Sequence, residues 1–309
     1  MSFTFDTDFD DLNIAVLVPC LNEAATVEKV VSGFNTCLPN SKIFVYDNGS
    51  TDGTADLAHR AGATVRLEEA YGKGRVVRRM FAEIDADFYV LIDGDGTYEP
   101  SEVTVLLKKL LLDNLDMVVG CRTLGVARTG HTTGNKIFNR LYKWLFGSGF
   151  TDIFSGYRVI SRRFINSFPA VSTGFEIETE MSVHASQLNL PIAEVDISYR
   201  DRPEGSESKL RTFSDGWRIL RAMGSLLKDN RPMILFNFMG GFFILTATLL
   251  GLPLVIDFVD TGIVERLPTA VLSTGLALVG SLLVVLGFLL DVIAKTRLEA
   301  KRLVYLQNR

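Results

Sequence analysis

Two long apolar runs near the C-terminus constrain this chain more than any other feature. Residues 233–256 carry no charge, and residues 267–294 carry only Asp291, close to their end. A helix rises about 1.5 Å per residue, so each run can cross a hydrocarbon core of roughly 30 Å. The competing reading is a pair of buried core helices, which their length and lack of a polar face disfavour. The linking residues carry Asp257, Asp260 and Glu265 against Arg266. Lys228 and Arg231 precede the first run, and Lys295, Arg297, Lys301, Arg302 and Arg309 follow the second against Glu299. The positive-inside rule then predicts both termini and residues 1–232 in the cytoplasm, with the acidic loop outside.

At 309 residues the chain has room for one large domain and a smaller accessory part. The net charge of −4 speaks against a nucleic-acid binder, which would show a basic domain. Cys20, Cys37 and Cys121 are scattered and form no C-x-x-C pair, so neither a disulfide framework nor a zinc site is expected. Residues 1–11 are acidic and lack an apolar core, so no cleavable signal peptide is expected.

Short apolar runs at 14–18, 42–46, 64–67, 88–92 and 117–119 read as buried strands. Helical spacing falls between them at 23–31, 54–61, 76–84 and 102–112. Such alternation predicts an α/β fold with a mostly parallel sheet and helices on both faces. Ligands of such sheets bind beyond the carboxyl ends of the strands. The polar clusters after Val18, Tyr46 and Ile92 fall there. Residues 213–227 place Phe213, Trp217, Leu220 and Leu227 near one helical face among Lys209, Arg211, Arg218, Arg221 and Lys228. That pattern suits an anionic lipid surface. Residues 134–149 carry a similar stripe, for which a helix packed on the domain is an equal reading. The expected organisation is an α/β domain over 1–207, an amphipathic segment over 208–232, two spans within 233–294 and a basic tail over 295–309.

Asp93 and Asp95 are the strongest chemical signal. In extended chain, residues two apart aim their side chains the same way. Paired carboxylates beside Gly94 and Gly96 can hold a hard divalent cation, Mg²⁺ or Mn²⁺, that also binds substrate phosphates. The plainer reading is an acidic turn, since Asp-Gly is common turn chemistry. Asn22, Ser50, Thr51 and Asp52 precede predicted helices that they could cap, and capping is the expected role of Thr51 and Thr54.

The surroundings of this pair resemble family 2 glycosyltransferases with the nucleotide-diphospho-sugar transferase fold (GT-A, Rossmann-like). The matching stretches are Val18-Pro19-Cys20-Leu21-Asn22-Glu23, Tyr46-Asp47-Asn48-Gly49-Ser50-Thr51-Asp52-Gly53-Thr54, Gly72-Lys73-Gly74 and Asp93-Gly94-Asp95-Gly96-Thr97-Tyr98-Glu99-Pro100. The resemblance implies that Pro19, Asn22, Glu23, Asp47, Lys73 and Asp93 bind a nucleotide sugar. It also implies that Asp95, with Asp93, ligates the metal. Downstream, Thr151-Asp152-Ile153-Phe154-Ser155-Gly156-Tyr157-Arg158 is similar to the D-x-x-[ST]-G-[FY]-R stretch of the polyprenyl-phosphate glycosyltransferases, the dolichol-phosphate mannose synthase-like group. Tyr199-Arg200-Asp201-Arg202, with Gly205 and Ser208-Lys209, is similar to that group's segment before the membrane anchor, although Glu204 and Glu207 depart from the commonest pattern.

By that likeness Arg122, Arg200, Arg202 and Lys209 are expected on the lipid phosphate, for which arginine offers bidentate contacts. Asp152 and Glu178 join Asp95 as expected catalytic residues, with Glu176 kept as the alternative to Glu178. The three histidines are assigned no role. The implied reaction is the inverting transfer of a hexose to undecaprenyl or dolichyl phosphate. A UDP-sugar is the favoured donor, with GDP-mannose close behind. The expected location is the plasma (inner) membrane of a prokaryote, and a homo-oligomer is left open. Two rivals stand. A membrane polysaccharide synthase would carry a Gln-x-x-Arg-Trp stretch, which neither Trp144 nor Trp217 ends. A non-catalytic nucleotide-binding scaffold would not need the metal and nucleotide stretches intact.

Overall fold

A computed structural model describes residues 9, 11–124, 140, 142, 143, 150–174, 176–200, 224, 227, 228 and 231–307. The chain forms two units, Met1–Trp217 with Lys301–Arg309, and Arg218–Ala300.

The first unit is built on a seven-stranded sheet of order β3-β2-β1-β4-β6-β5-β7. Its strands are β1 (Ile14–Cys20), β2 (Lys42–Asp47), β3 (Thr64–Leu67), β4 (Phe88–Leu91), β5 (Met117–Leu124), β6 (Arg158–Ser161) and β7 (Ile192–Ser198). Helices α1 (Val27–Cys37), α2 (Thr54–Arg60), α3 (Lys73–Glu83), α4 (Val103–Leu112), α5 (Arg162–Ser167) and α6 (Ile177–Leu188) fall between them. The first four strands pair in parallel, as do β5 and β7. Strand β6 alone runs antiparallel, against both β4 and β5. Its first residue, Arg158, lies opposite Leu91, the last residue of β4. The loop entering β6 therefore reaches the edge where the parallel strands end.

Every residue of β1 from Ile14 to Val18 is buried, as a continuous apolar run covered on both faces should be. Val16 and Val18 join Val27, Val30 and Phe34 of α1 and Leu106 and Leu110 of α4 in one core cluster. The predicted first helix begins late, at Val27. Residues 24–26 form a turn instead, and the Thr26 hydroxyl donates to the Gly94 carbonyl at 2.6 Å. Strands β6 and β7 were not among the strands expected, and β5 is longer than predicted.

The second unit contains α7 (Pro232–Thr261) and most of α8 (Leu267–Gln307). Both are long and apolar enough to cross a membrane, and only 11% of each apolar window is buried. Within their own unit they do not pack as buried core helices. Both helices overrun their predicted ends. Beyond Ala294 no glycine or proline stops α8, and its lysines, arginines and leucines favour helix. The two helices meet through small residues. A Cβ on Gly280 would lie 2.8 Å from the Gly240 carbonyl oxygen, and the Ser273 hydroxyl donates to the Ala247 carbonyl at 2.9 Å. Gly280→Leu should therefore push the helices apart, at a cost of about 1–3 kcal/mol. Cysteines placed at Ala247 and Ser273 should then crosslink at least about fivefold less than in the parent pair; equal yields would show that the contact tolerates bulk.

The last turns of α8 belong to the first unit. There the Tyr305 hydroxyl donates to Asp116 Oδ2 at 2.8 Å, and the Arg163 guanidinium lies 5.7 Å from the Tyr305 ring centre.

Candidate active site

The loops after β1 and β2 are stitched together at the sheet edge. The Asn22 backbone, at φ 51°, donates to Ser50 Oγ at 2.8 Å, and Asn22 Oδ1 accepts from the Thr51 backbone at 2.8 Å. The Glu23 backbone donates to Thr54 Oγ1 at 2.9 Å, and Asp52 accepts from the Ala24 and Thr54 backbones. Thr51 and Thr54 thus link two loops, and the N-cap position of α2 is Gly53, which has no side chain to cap it. Asp47 is buried and accepts from the backbone and hydroxyl of Ser50. Pro19 is the penultimate residue of β1, and Glu23 is buried in the loop that follows. Asn48 pins the next loop. Its amide donates to Glu68 and Ala70 carbonyls at 2.9 and 3.0 Å and accepts from the Gly72 backbone at 2.7 Å.

That loop delivers Lys73, the first residue of α3. Lys73 forms ion pairs with Asp93 after β4 and with Glu178 in the first turn of α6. The lysine and glutamate side chains are only 11% and 4% exposed. Burial opposes charge on Lys73, but the two carboxylates outweigh it and hold its pKa above the ordinary lysine range. Burial pushes the Glu178 carboxyl up, against the pull of Lys73. The neighbouring acids are used elsewhere. Glu176 accepts from the Gly174 backbone, and Glu180 from the backbones of Val171 and Ser172. The geometry therefore brings Glu178, not Glu176, to the site.

Asp95 does not follow Asp93 in extended chain. Gly94 and Gly96 let residues 94–96 turn, and Asp95 Oδ1 accepts from the Thr97 backbone and hydroxyl at 3.1 and 2.6 Å. Gly156 packs directly against the Asp93 carboxylate, where a Cβ would collide. Among the described residues, no three His, Cys, Asp or Glu side chains gather to hold a metal. Asp93 and Asp95 offer oxygen donors alone, which fit a hard cation that completes its shell on a diphosphate and water.

Arg122, near the end of β5, grips Asp152 with Nε and Nη2, each at 2.7 Å, and stacks 5.5 Å from the Tyr199 ring centre. Burial works against the Asp152 carboxylate, yet Arg122 holds its pKa below the ordinary range. Arg200 pairs with Glu99 at 2.8 Å, and its backbone donates to the Thr97 carbonyl, which sets it beside the Asp95 turn. Its side chain is 60% exposed. Arg202, Lys209 and the stretches at 213–223 and 144–149 lie outside the described residues. Two polar residues that shape the loops at this edge carried no expectation of their own, Asn48 and Arg158. Their only signal was their place inside the quoted stretches.

A parallel sheet with one reversed strand, carboxylates gathered at its edge and a lysine between them defines a nucleotide-sugar transferase architecture of GT-A type. The family description "Glycosyl transferase family 2" matches residues 15–168. The chain is 35% identical over 294 residues to the glycosyltransferase AglJ of Haloferax volcanii, covering 93% of this chain and 95% of that one. The chain belongs to glycosyl transferase family 2. It is also 30% identical over 227 residues to a dolichyl-phosphate hexose transferase of Haloferax volcanii, covering 72% of this chain and 96% of the relative. Among solved structures, glucosyl-3-phosphoglycerate synthase of Mycobacterium tuberculosis, in complex with Mn²⁺, UDP and glucosyl-3-phosphoglycerate, superposes with a TM-score of 0.57 at 24% identity. That match covers 71% of this chain and 80% of the other and bears on the fold.

Proposed function

We propose that this enzyme transfers a hexosyl group, with inversion, from a nucleoside-diphosphate sugar, UDP-linked by preference over GDP-mannose, to a polyprenyl phosphate. The observation that carries the reading is the pairing of the site's acids. Glu178 is tied to Lys73, and Asp152 to Arg122. A hydroxyl acceptor calls for a general base within reach of its proton. A phosphate monoester is already anionic at neutral pH and calls for none. In this reading Asp152 and Glu178 orient cations rather than remove a proton. The relative described as a dolichyl-phosphate hexose transferase supports the same acceptor class.

Pro19, Asn22, Glu23 and Asp47 would hold the nucleoside, and Lys73 would face the donor's diphosphate. Asp95, with Asp93, would hold Mg²⁺ or Mn²⁺; the Mn²⁺ and UDP of the solved synthase support this. A bound divalent ion neutralises charge developing on the leaving diphosphate. Arg122 and Arg200, with Arg202 and Lys209 from outside the described residues, would take the acceptor phosphate. Catalysis then rests on positioning and fixed charge. The test is a panel of radiolabelled UDP- and GDP-sugars with purified protein and undecaprenyl or dolichyl phosphate. Labelled lipid is the expected product; donor hydrolysis without lipid product, or a polymer, would overturn the reading.

The second part of the proposal is the topology, with residues 1–232 and the tail in the cytoplasm of a prokaryotic cell. The charge asymmetry around the spans supports it, as does the contact of Tyr305 with Asp116. A cysteine at Thr261 should react with an impermeant thiol reagent in whole cells, whereas one at Gln307 should not. The opposite labelling would reverse the orientation and remove the cytoplasmic donor.

A further inference from the structure

Arg158 is wholly buried at the start of β6. Its Nε donates to the Ser155 carbonyl and its Nη2 to the Ile153 carbonyl, both at 3.0 Å. Its Nη1 donates to Ser182 Oγ at 3.0 Å and lies 3.5 Å from Met117 Sδ. Among the described residues it makes no ion pair, although Glu178 and Asp152 face it at longer range, with Tyr142 and Tyr98 beyond. Burial lowers its pKa, but a guanidinium does not lose its proton in proteins. A buried charge without a counter-ion is costly, and folds keep few of them. Both nearby acids are already bound to other cations, Glu178 to Lys73 and Asp152 to Arg122. Lys73 is shared by two carboxylates, Asp93 and Glu178, so these groups carry one negative charge in excess; Arg158 offsets it, and without Arg158 this wall would repel an anionic substrate.

We infer that Arg158 is a positioning residue for the acceptor. Its buried guanidinium is a fixed positive charge behind the site wall that favours a phosphate in front of Asp152 and Glu178 without touching it. The inference rests on the polyprenyl-phosphate reading above and adds to it the residue that tunes acceptor affinity. Its hydrogen bonds to Ile153 and Ser155 also shape the turn that carries Asp152 and Gly156, so a purely structural role is the competing explanation. The two differ in what they do to the acceptor alone.

The experiment compares Arg158→Lys and Arg158→Gln with the parent enzyme. Thermal stability, affinity for UDP-glucose (or GDP-mannose, should the donor panel select it), and KM and kcat for undecaprenyl phosphate in detergent are measured for each. Fixed charge acting through a poorly screened interior should raise the lipid KM of Arg158→Gln on the order of tenfold, with donor affinity within about twofold. Arg158→Lys keeps the charge and should hold the lipid KM within about threefold even where stability falls. Should Arg158→Gln fail to fold, Ser182→Asp sets a carboxylate against the same guanidinium and should raise the lipid KM likewise. Equal lipid KM in the lysine and glutamine variants, or losses of kcat that track stability alone, would overturn the proposal in favour of the structural role. Absence of lipid-dependent turnover in the parent enzyme would overturn the acceptor reading, and this inference with it.

Discussion

Asp95→Asn is expected to lower turnover on the order of 10²- to 10³-fold while the protein stays folded. Asp95 is buried, and its Oδ1 already serves the Thr97 backbone and hydroxyl. An asparagine carbonyl can accept both of those bonds, so the turn around Gly94 and Gly96 should survive and the melting temperature should change little. What the amide lacks is negative charge, and hard divalent cations bind neutral ligands poorly. The loss should therefore shrink as Mn²⁺ or Mg²⁺ is raised, and excess chelator should mimic it in the parent enzyme. Full transfer in chelator, at metal levels too low to measure, would sink the metal assignment. A melting transition that collapses with activity would show that Asp95 holds the turn and little else.

Lys73→Met should be the most destabilising single change in the catalytic unit described here. It leaves Asp93 and Glu178 close together without the ammonium that both contact. Breaking a buried ion pair by removing one partner costs about 3–5 kcal/mol. For a domain of this size that is a fall of roughly 10 °C in melting temperature. Glu178→Gln in the Lys73→Met background removes one of the stranded charges and should restore more than half of the lost stability, because residues in contact do not act additively. Activity should not return, since in the proposed reading Lys73 would also face the donor's diphosphate. If the double variant is no more stable than Lys73→Met alone, the lysine is held by packing rather than by its two carboxylates.

The sequence shows best what neighbours in the chain decide together. Strand β1, the turn after Tyr46 and the Asp93–Asp95 pair are local patterns, and the sheet edge they predict is where the structure puts them. Contacts across long separations were not visible. Thr54 looked like a helix cap because it stands where α2 begins, yet its hydroxyl accepts from the backbone of Glu23, which lies on another loop. Asp152 was expected to be catalytic by resemblance alone, and its partner Arg122, thirty residues away in the chain, was not expected. The choice between Glu176 and Glu178 depended on where α6 begins. With Ile177 as its first residue, Glu178 is turned inward to Lys73 and Glu176 folds back on Gly174. Strand β6 escaped notice because it is four residues long and opens with a buried arginine, a residue that strand patterns assign to the surface.

The hydrogen bond from Tyr305 to Asp116 has a practical bearing on how this enzyme should be handled. Removing the apolar helices to obtain a soluble fragment is an obvious step, and cutting the chain ahead of Pro232 would seem to leave the transferase whole. Such a fragment would also discard the segment after Lys301, which groups with the catalytic unit although it follows the apolar helices in sequence. Asp116 is completely buried and, among the described residues, would keep Ser161 and Arg163 as side-chain partners, with one oxygen stripped of the phenol that satisfies it. A soluble enzyme of this kind is better made by replacing the hairpin with a short linker and retaining its last turns than by truncation, and a C-terminal affinity tag belongs behind a spacer.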